Sequence, residues 1–119
     1  MTFDKRAVPT KTLRMRSGLS QREIGEILGF FSDVPVSRHE TGAGIPDLRT
    51  ALGYEVIFRM PISAQFSTLL SMIEPLVEGR LAELERKLEQ QTPRGHNADR
   101  IARKLEFLAM RRDIDFHEE

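Results

Sequence analysis

The sequence predicts an all-α protein, five short helices followed by an amphipathic helical hairpin. Three observations carry this. The stretch from Gly18 to Gly42, GLSQREIGEILGFFSDVPVSRHETG, reads as two short helices joined by a tight turn. Helix starts and stops recur along the chain, with Ser, Thr or Pro-Asp ahead of a periodic run and glycine behind it. Beyond Glu74, leucines and isoleucines spaced by three and four make two narrow apolar stripes.

Residues 1–9 are expected to form a loose arm, as an untied terminus does. Thr10 should cap a first helix, KTLRMRS, which Gly18 closes; Leu13 and Leu19 point inward, and Lys11 and Arg16 toward solvent or phosphate. Ser20 with Glu23 three residues later is a capping box, so a second helix should run from Gln21 to about Leu28, with Ile24, Ile27 and Leu28 on its inner face. Gly29 stops it where a left-handed backbone is needed. Ser32 should cap a third helix with Asp33, Val34 and Pro35 in its first turn, ending near Glu40 with Gly42 beyond. Pro35 is tolerable there, because a first-turn N–H has no intrahelical partner.

Pro46 and Asp47 should open a fourth helix, PDLRTALGYEVIF, with Leu48, Ala51, Leu52 and Glu55 along one side. Met60-Pro61 ends it. Ser63 is the expected cap of a fifth helix, whose Phe66, Leu69, Leu70 and Ile73 close the core. Pro75 should then start or kink away a sixth, so the domain boundary is expected between residues 74 and 75. Val77, Leu81, Leu84 and Leu88 form a seam on that helix. After the turn TPRGHN, the run ADRIARKLEFLAMRRD carries Ile101, Leu105 and Leu108 on one stripe. Two lone amphipathic helices bury little surface, so they should dock on the N-terminal domain or on a second copy of the chain, and these seven residues are candidates for a dimer or partner interface.

With 119 residues there is room for one core, or a small core plus an extension. The absence of cysteine excludes a disulfide framework and a Cys-based zinc site. No apolar run approaches the ~18 residues of a membrane span, and the N-terminus lacks a signal peptide's apolar core, so the expectation is a soluble cytoplasmic protein without a membrane partner. Formal net charge is zero, but residues 1–22 hold Lys5, Arg6, Lys11, Arg14, Arg16 and Arg22 against Asp4 alone. Residues 61–119 are mildly acidic, with nine basic and eleven acidic side chains. A basic front and an acidic back suit one face on phosphate and another on protein or water.

Catalytic and metal readings find little support. His39 stands far from His96 and His117, with no HExxH-type spacing, and a packed or half-exposed histidine is the better account of it. No Ser-His-Asp set, paired-carboxylate motif or phosphate-cradling glycine loop is present; TGAGIP lacks the Lys-Ser/Thr ending of a P-loop. No cofactor is therefore expected, and no enzymatic activity. The start of the second helix is more informative. Its free N–H groups, the side-chain amide of Gln21 and the charge of Arg22 make a phosphate-binding position.

LSQREIGEILG and VSRHETG resemble, in residue type and order, helices 2 and 3 of the Cro and lambda-repressor-like (XRE) family of helix-turn-helix DNA-binding domains. Gly25 stands where the family has a small residue, Gly29 matches the turn glycine, and Ile24, Leu28 and Val36 match apolar positions. The chain departs from the pattern at Phe30-Phe31, where most members have one apolar residue, an apparent one-residue insertion. The resemblance covers roughly the first 65 residues. It implies a five-helix lambda-repressor-like domain, helices 4 and 5 commonly dimerising, which makes Tyr54, Ile57 and Phe58 either interface or core.

On the family's geometry, Ser32, Asp33, Val34, Ser37 and Arg38 face the DNA major groove, while Val36 and His39 face the core. Arg38 is the strongest base-reading candidate, since its fork can grip guanine O6 and N7. Val34 could touch a thymine methyl group. Asp33 is explained by the helix dipole as readily as by cytosine, and the dipole is favoured. The resemblance also pairs Arg14 with Glu40, the acid closing helix 3. The implied function is a sequence-specific DNA-binding transcriptional regulator, a dimeric repressor on a palindromic operator in double-stranded DNA. The alternative is an antitoxin-type or other protein-interaction module whose C-terminal helices bind a partner protein.

Overall fold

The computed structural model describes residues 7–92 and 94–114. Among these there are seven helices and no strand: α1 (Thr10–Ser17), α2 (Gln21–Leu28), α3 (Val34–Thr41), α4 (Leu48–Phe58), α5 (Ile62–Gln65), α6 (Ser67–Gln90) and α7 (His96–Arg112). The chain divides into two compact units, one ending at Leu70 and one beginning at Ser71. That division falls inside α6, four residues before the expected boundary. Most of the N-terminal arm, Pro93 of the expected turn, and His117 lie outside the described residues.

In the first unit Ile24, Val36 and Tyr54 form the fully buried centre, packed about by Leu19, Leu28, Phe30, Ile57, Phe58 and Phe66. Phe30, His39, Tyr54 and Phe66 make a row of rings with centroids 6.3, 5.8 and 5.7 Å apart, tilted or edge-on as aromatic quadrupoles prefer. Tyr54, Ile57 and Phe58 are thus core residues of the unit.

The ends of α2 follow local chemistry. Ser20 Oγ accepts from the Glu23 N–H at 3.0 Å while Glu23 Oε1 accepts from the Ser20 N–H at 2.9 Å, a complete capping box. Gly29 terminates the helix at φ +91°, a backbone a side chain would strain. Gly25 is needed for a different reason: a Cβ there would stand 2.8 Å from the Ser32 carbonyl oxygen, so α2 and the following turn approach too closely for alanine.

Several expected boundaries shift. Thr10 is not a cap but the first helical residue; it is buried, and its hydroxyl donates to Gln65 Oε1 at 3.2 Å. The chain just ahead of it is tied down, since the Val8 N–H donates to the Ala64 carbonyl at 3.2 Å. Ser32 is not the cap of α3, because Asp33 occupies that position in a right-handed backbone with no side-chain cap; Ser32 Oγ accepts instead from the Val34 N–H at 3.3 Å. Helix α4 begins at Leu48, capped by Asp47, whose Oδ1 accepts from the Thr50 N–H at 2.8 Å. The expected fifth helix is broken at Phe66 into the single turn α5 and the start of α6. Pro75 neither opens nor ends a helix. It sits inside α6, where its missing N–H removes one bond of a 24-residue ladder.

Which faces are buried also differs. Ile27 is exposed, and on α4 the buried residues are Ala51 and Tyr54 while Leu48, Leu52 and Val56 lie outside. The residue that closes the unit is a polar one, Gln65. It is buried, and its side-chain N–H groups donate to the Tyr54 carbonyl at 3.2 Å and the Met60 carbonyl at 2.8 Å while its oxygen accepts from Thr10. It thereby satisfies carbonyls at the end of α4 and binds them to α1.

In the second unit α7 folds back along α6. Arg111 forms a two-pronged ion pair with Glu78, and Arg112 reaches Glu85 at 2.6 Å. Leu88, Ile101 and Leu108 are buried and Leu81 and Leu105 half-buried, so these five are occupied within the chain itself. Val77 and Leu84 stay exposed, as do Met72, Ile73 and Leu76 on α6 and Phe107, Met110 and Ile114 at the end of α7 and beyond.

Candidate nucleic-acid interface

Helix α3 is eight residues long and amphipathic in a narrow sense. Val36 turns fully inward, Pro35, Ser37, His39 and Glu40 are half-buried, and Val34, Arg38 and Thr41 are exposed at spacings of four and three. That spacing places the three on one outward strip. Asp33 and Ser32, just ahead of the helix, are exposed as well.

What holds this strip in position is Glu40, whose side chain is 1% exposed. Arg14 Nε donates to its Oε2 at 2.6 Å and Arg14 Nη2 to its Oε1 at 3.1 Å. Gln21 Nε2 donates to the same Oε1 at 3.0 Å. Arg14 Nη1 also donates to the Leu19 carbonyl at 3.2 Å, so the guanidinium is satisfied on several sides. One carboxylate therefore joins α1, α2 and α3. Its hydrogen bonds, opposed by burial and aided by its charge, raise the Arg14 pKa above its ordinary value. Among the described residues no buried side-chain nitrogen or oxygen lacks a hydrogen-bond partner.

The three-helix junction changes the role of Gln21. Its place at a helix start suggests a phosphate contact for the amide, whereas the structure directs one N–H inward to Glu40; a primary amide carries two, and the side chain is only half-buried. Arg22 projects freely, with a loose exposed contact to Glu26 at 3.8 Å. The capping box accounts for the Glu23 N–H and leaves the first two backbone N–H groups of α2 without an intrahelical acceptor.

Arg38 is exposed but not adrift. Its Nη2 donates to the Ala43 carbonyl at 3.3 Å, and its stem lies over Gly44, where a Cβ would meet Arg38 Cβ and Nε at 3.4 Å. The TGAG loop thus guides the side chain along α3 while most of its five donors remain open. His39 faces inward, Nδ1 2.9 Å from the Tyr54 hydroxyl, and burial lowers its pKa below the ordinary histidine value; nearby Asp47 opposes this and Arg38 reinforces it. Burial, helped by the charge of Glu40, raises the Tyr54 pKa.

Among the described residues no group of three His, Cys, Asp or Glu side chains could hold a metal ion, and no helix is long and apolar enough to cross a membrane. A shallow concavity between α6 and α7 is lined by Glu78, Leu81, Ala82, Glu85, Leu108, Arg111 and Arg112. No family model, curated protein or solved structure matches the chain.

Proposed function

We propose that the first unit is a lambda-repressor-like helix-turn-helix domain, that α3 is its recognition helix, and that the protein is a sequence-specific transcriptional regulator of the XRE type. The observation that carries this reading is the orientation of α3: Val36 and His39 anchor it inward and Glu40 is clamped by α1 and α2, while Val34, Arg38 and Thr41 are presented outward. An eight-residue helix held at its far end, with an arginine on its free face, has the form that enters a major groove. Exposed Lys11, Arg16 and Arg22 on α1 and α2 supply phosphate contacts, which position without reading sequence.

A single such helix makes few base contacts, so the active species is proposed to be a homodimer on a palindrome with half-sites ~34 Å apart, a repressor by occlusion acting in the cytoplasm. The exposed Met72, Ile73, Leu76 and Val77 on α6 suit association of this kind. The same apolar positions favour the second reading, an antitoxin-type module in which these helices hold a partner protein.

Selection of bound duplexes from a random DNA pool tests the proposal. Enrichment of a palindromic motif is the expected result. Failure to retain any duplex at low salt, together with tight salt-insensitive binding to a protein, would replace it with the second reading.

A further inference from the structure

Between Ser71 and Gln90 the residues of α6 that escape full exposure are Glu74, Glu78, Leu81, Glu85 and Leu88, spaced by four and three. They form the row turned toward α7, whose own inward row holds Ile101, Leu105 and Leu108. The position just ahead of each inward residue makes a flanking row on each helix. Because α7 folds back antiparallel to α6, these two flanking rows lie on the same side of the hairpin. On α6 the row is Ile73, Val77, Arg80, Leu84 and Lys87, all exposed. On α7 it is Arg100, Lys104, Phe107 and Arg111, with Phe107 61% exposed.

This face sets large apolar side chains among bases and contains no carboxylate. Arg111 is paired with Glu78, but Arg80, Lys87, Arg100 and Lys104 form no salt bridge or side-chain hydrogen bond among the described residues. The opposite flank differs in kind, with Pro75, Gly79 and Ala82 on α6 and Asp99, Ala102 and Glu106 on α7. We infer that the basic and apolar face docks an acidic amphipathic helix of a partner protein, laid along both rows as the third helix of a bundle. This concerns the second unit and is independent of the DNA-binding reading of the first. Ile73, Val77 and Leu84 recur at the four- and seven-residue intervals that seat a helix's apolar stripe, and carboxylates beside that stripe would meet the unpaired bases.

Other occupants fit less well. A second copy applied through the same face would set base against base about a two-fold axis, and its opposite flank has no large apolar side chain to place on Leu84 and Phe107. Met72 and Leu76 lie on the side of α6 away from α7, so homodimerisation there does not compete. A lipid surface takes an apolar face whose bases stand on a separate polar side, whereas here Arg80 lies between Val77 and Leu84 and would be carried into the acyl boundary with them.

The test screens the full chain against a displayed library of random peptides about three heptads long. Enriched sequences should repeat apolar residues at heptad spacing with Glu or Asp beside them. In anisotropy titrations with one such peptide, Phe107→Ala should weaken binding about thirtyfold, the level of an interface hot spot. Arg80→Glu combined with Lys104→Glu should weaken it at least about tenfold, and should recover affinity for the same peptide with lysine in place of its acids. Glu106→Gln, on the opposite flank, should leave binding unchanged. The substituted side chains are exposed, so circular dichroism should show unaltered helix content. Absence of any enriched peptide, or enrichment without an acidic excess, overturns the inference. So does self-association of the full chain, or its binding to phosphatidylserine vesicles, if Leu84→Asp abolishes it, because the face would then belong to a second copy or to a lipid surface. The outcome of duplex selection is untouched by any of these results.

Discussion

Arg14 and Glu40 meet across 26 positions of sequence in a two-pronged ion pair, with contacts of 2.6 and 3.1 Å and side chains 14% and 1% exposed. Such a pair holds helices together less by its net energy than by the penalty for separating it, because either charge left alone would be buried without a partner. Arg14→Ala should therefore lower the unfolding free energy by about 3–5 kcal/mol in urea titration. The double variant Arg14→Met, Glu40→Leu should recover most of that loss, since it leaves no stranded charge. Equal instability of the single and double variants would show that the pair contributes through something other than its charge.

Gly25 and Gly53 offer a contrast between two close approaches. A Cβ at Gly53 would be 2.5 Å from Leu28 Cδ2, nearer than the 2.8 Å between Gly25 and the Ser32 carbonyl oxygen. The nearer contact should nevertheless be the milder one, because Leu28 Cδ2 is the end of a rotatable side chain and a backbone carbonyl is not. Gly53→Ala should stay within about 1 kcal/mol of the wild type, helped by alanine's better helix propensity. Gly25→Ala should cost about 1–3 kcal/mol and tilt α3. Thermal melts of the two variants rank them directly.

His39 makes stability depend on pH. Its pKa is lowered on folding, so the unfolded chain takes up a proton near the ordinary value of 6.5 while the folded chain stays neutral. Where the unfolded state binds more protons, stability rises with pH. The protein should thus lose stability as pH falls through 6.5 and stop losing it from this source once the lower folded pKa is passed. Denaturation midpoints between pH 7.5 and 5 should show the decline in the wild type and a flatter profile in His39→Gln.

Gln65 is a polar side chain that the core cannot replace with an apolar one. Gln65→Leu preserves bulk but removes the side-chain partner of the Met60 carbonyl and the Thr10 hydroxyl, and a second donor from the Tyr54 carbonyl. Destabilisation of at least about 2 kcal/mol is expected. Hydrogen exchange should quicken at Val8, whose N–H is bound to Ala64 beside it.

Arg38 and Arg22 should separate base reading from positioning. Arg38→Ala should relax preference at one base position per half-site, by about 1–3 kcal/mol. Arg22→Ala should weaken binding to all duplexes alike and reduce the salt dependence by about one charge. Binding isotherms on matched and mismatched duplexes at several salt concentrations tell the two apart. Identical behaviour would remove the distinction drawn between α2 and α3.

The helix ends most legible in the chain were those written in adjacent residues. Ser20 with Glu23, Gly18, Gly29 and Gly42 act over three or four positions, and a cap or a left-handed glycine needs nothing from elsewhere in the fold. The pairing of Arg14 with Glu40 followed from resemblance, but the inward turn of Gln21 to the same carboxylate did not. Its signal was masked by a plausible role at a helix start.

Read alone, the amino-acid order established that the chain is helical and where its best-capped helices begin and end, because hydrogen bonds to near neighbours govern those points. Packing settled which sides of the helices are inside. Ile27, Leu48, Leu52 and Val56 are as apolar as Ile24 and Ala51 yet remain exposed, and Gln65 is buried in their place. On α4 apolar residues are spread widely around the helix, and its own periodicity cannot choose among them. That choice is made by partners far away in sequence, Glu40 for Arg14 and Gln65 for Thr10, whose contacts exist only once the helices have come together.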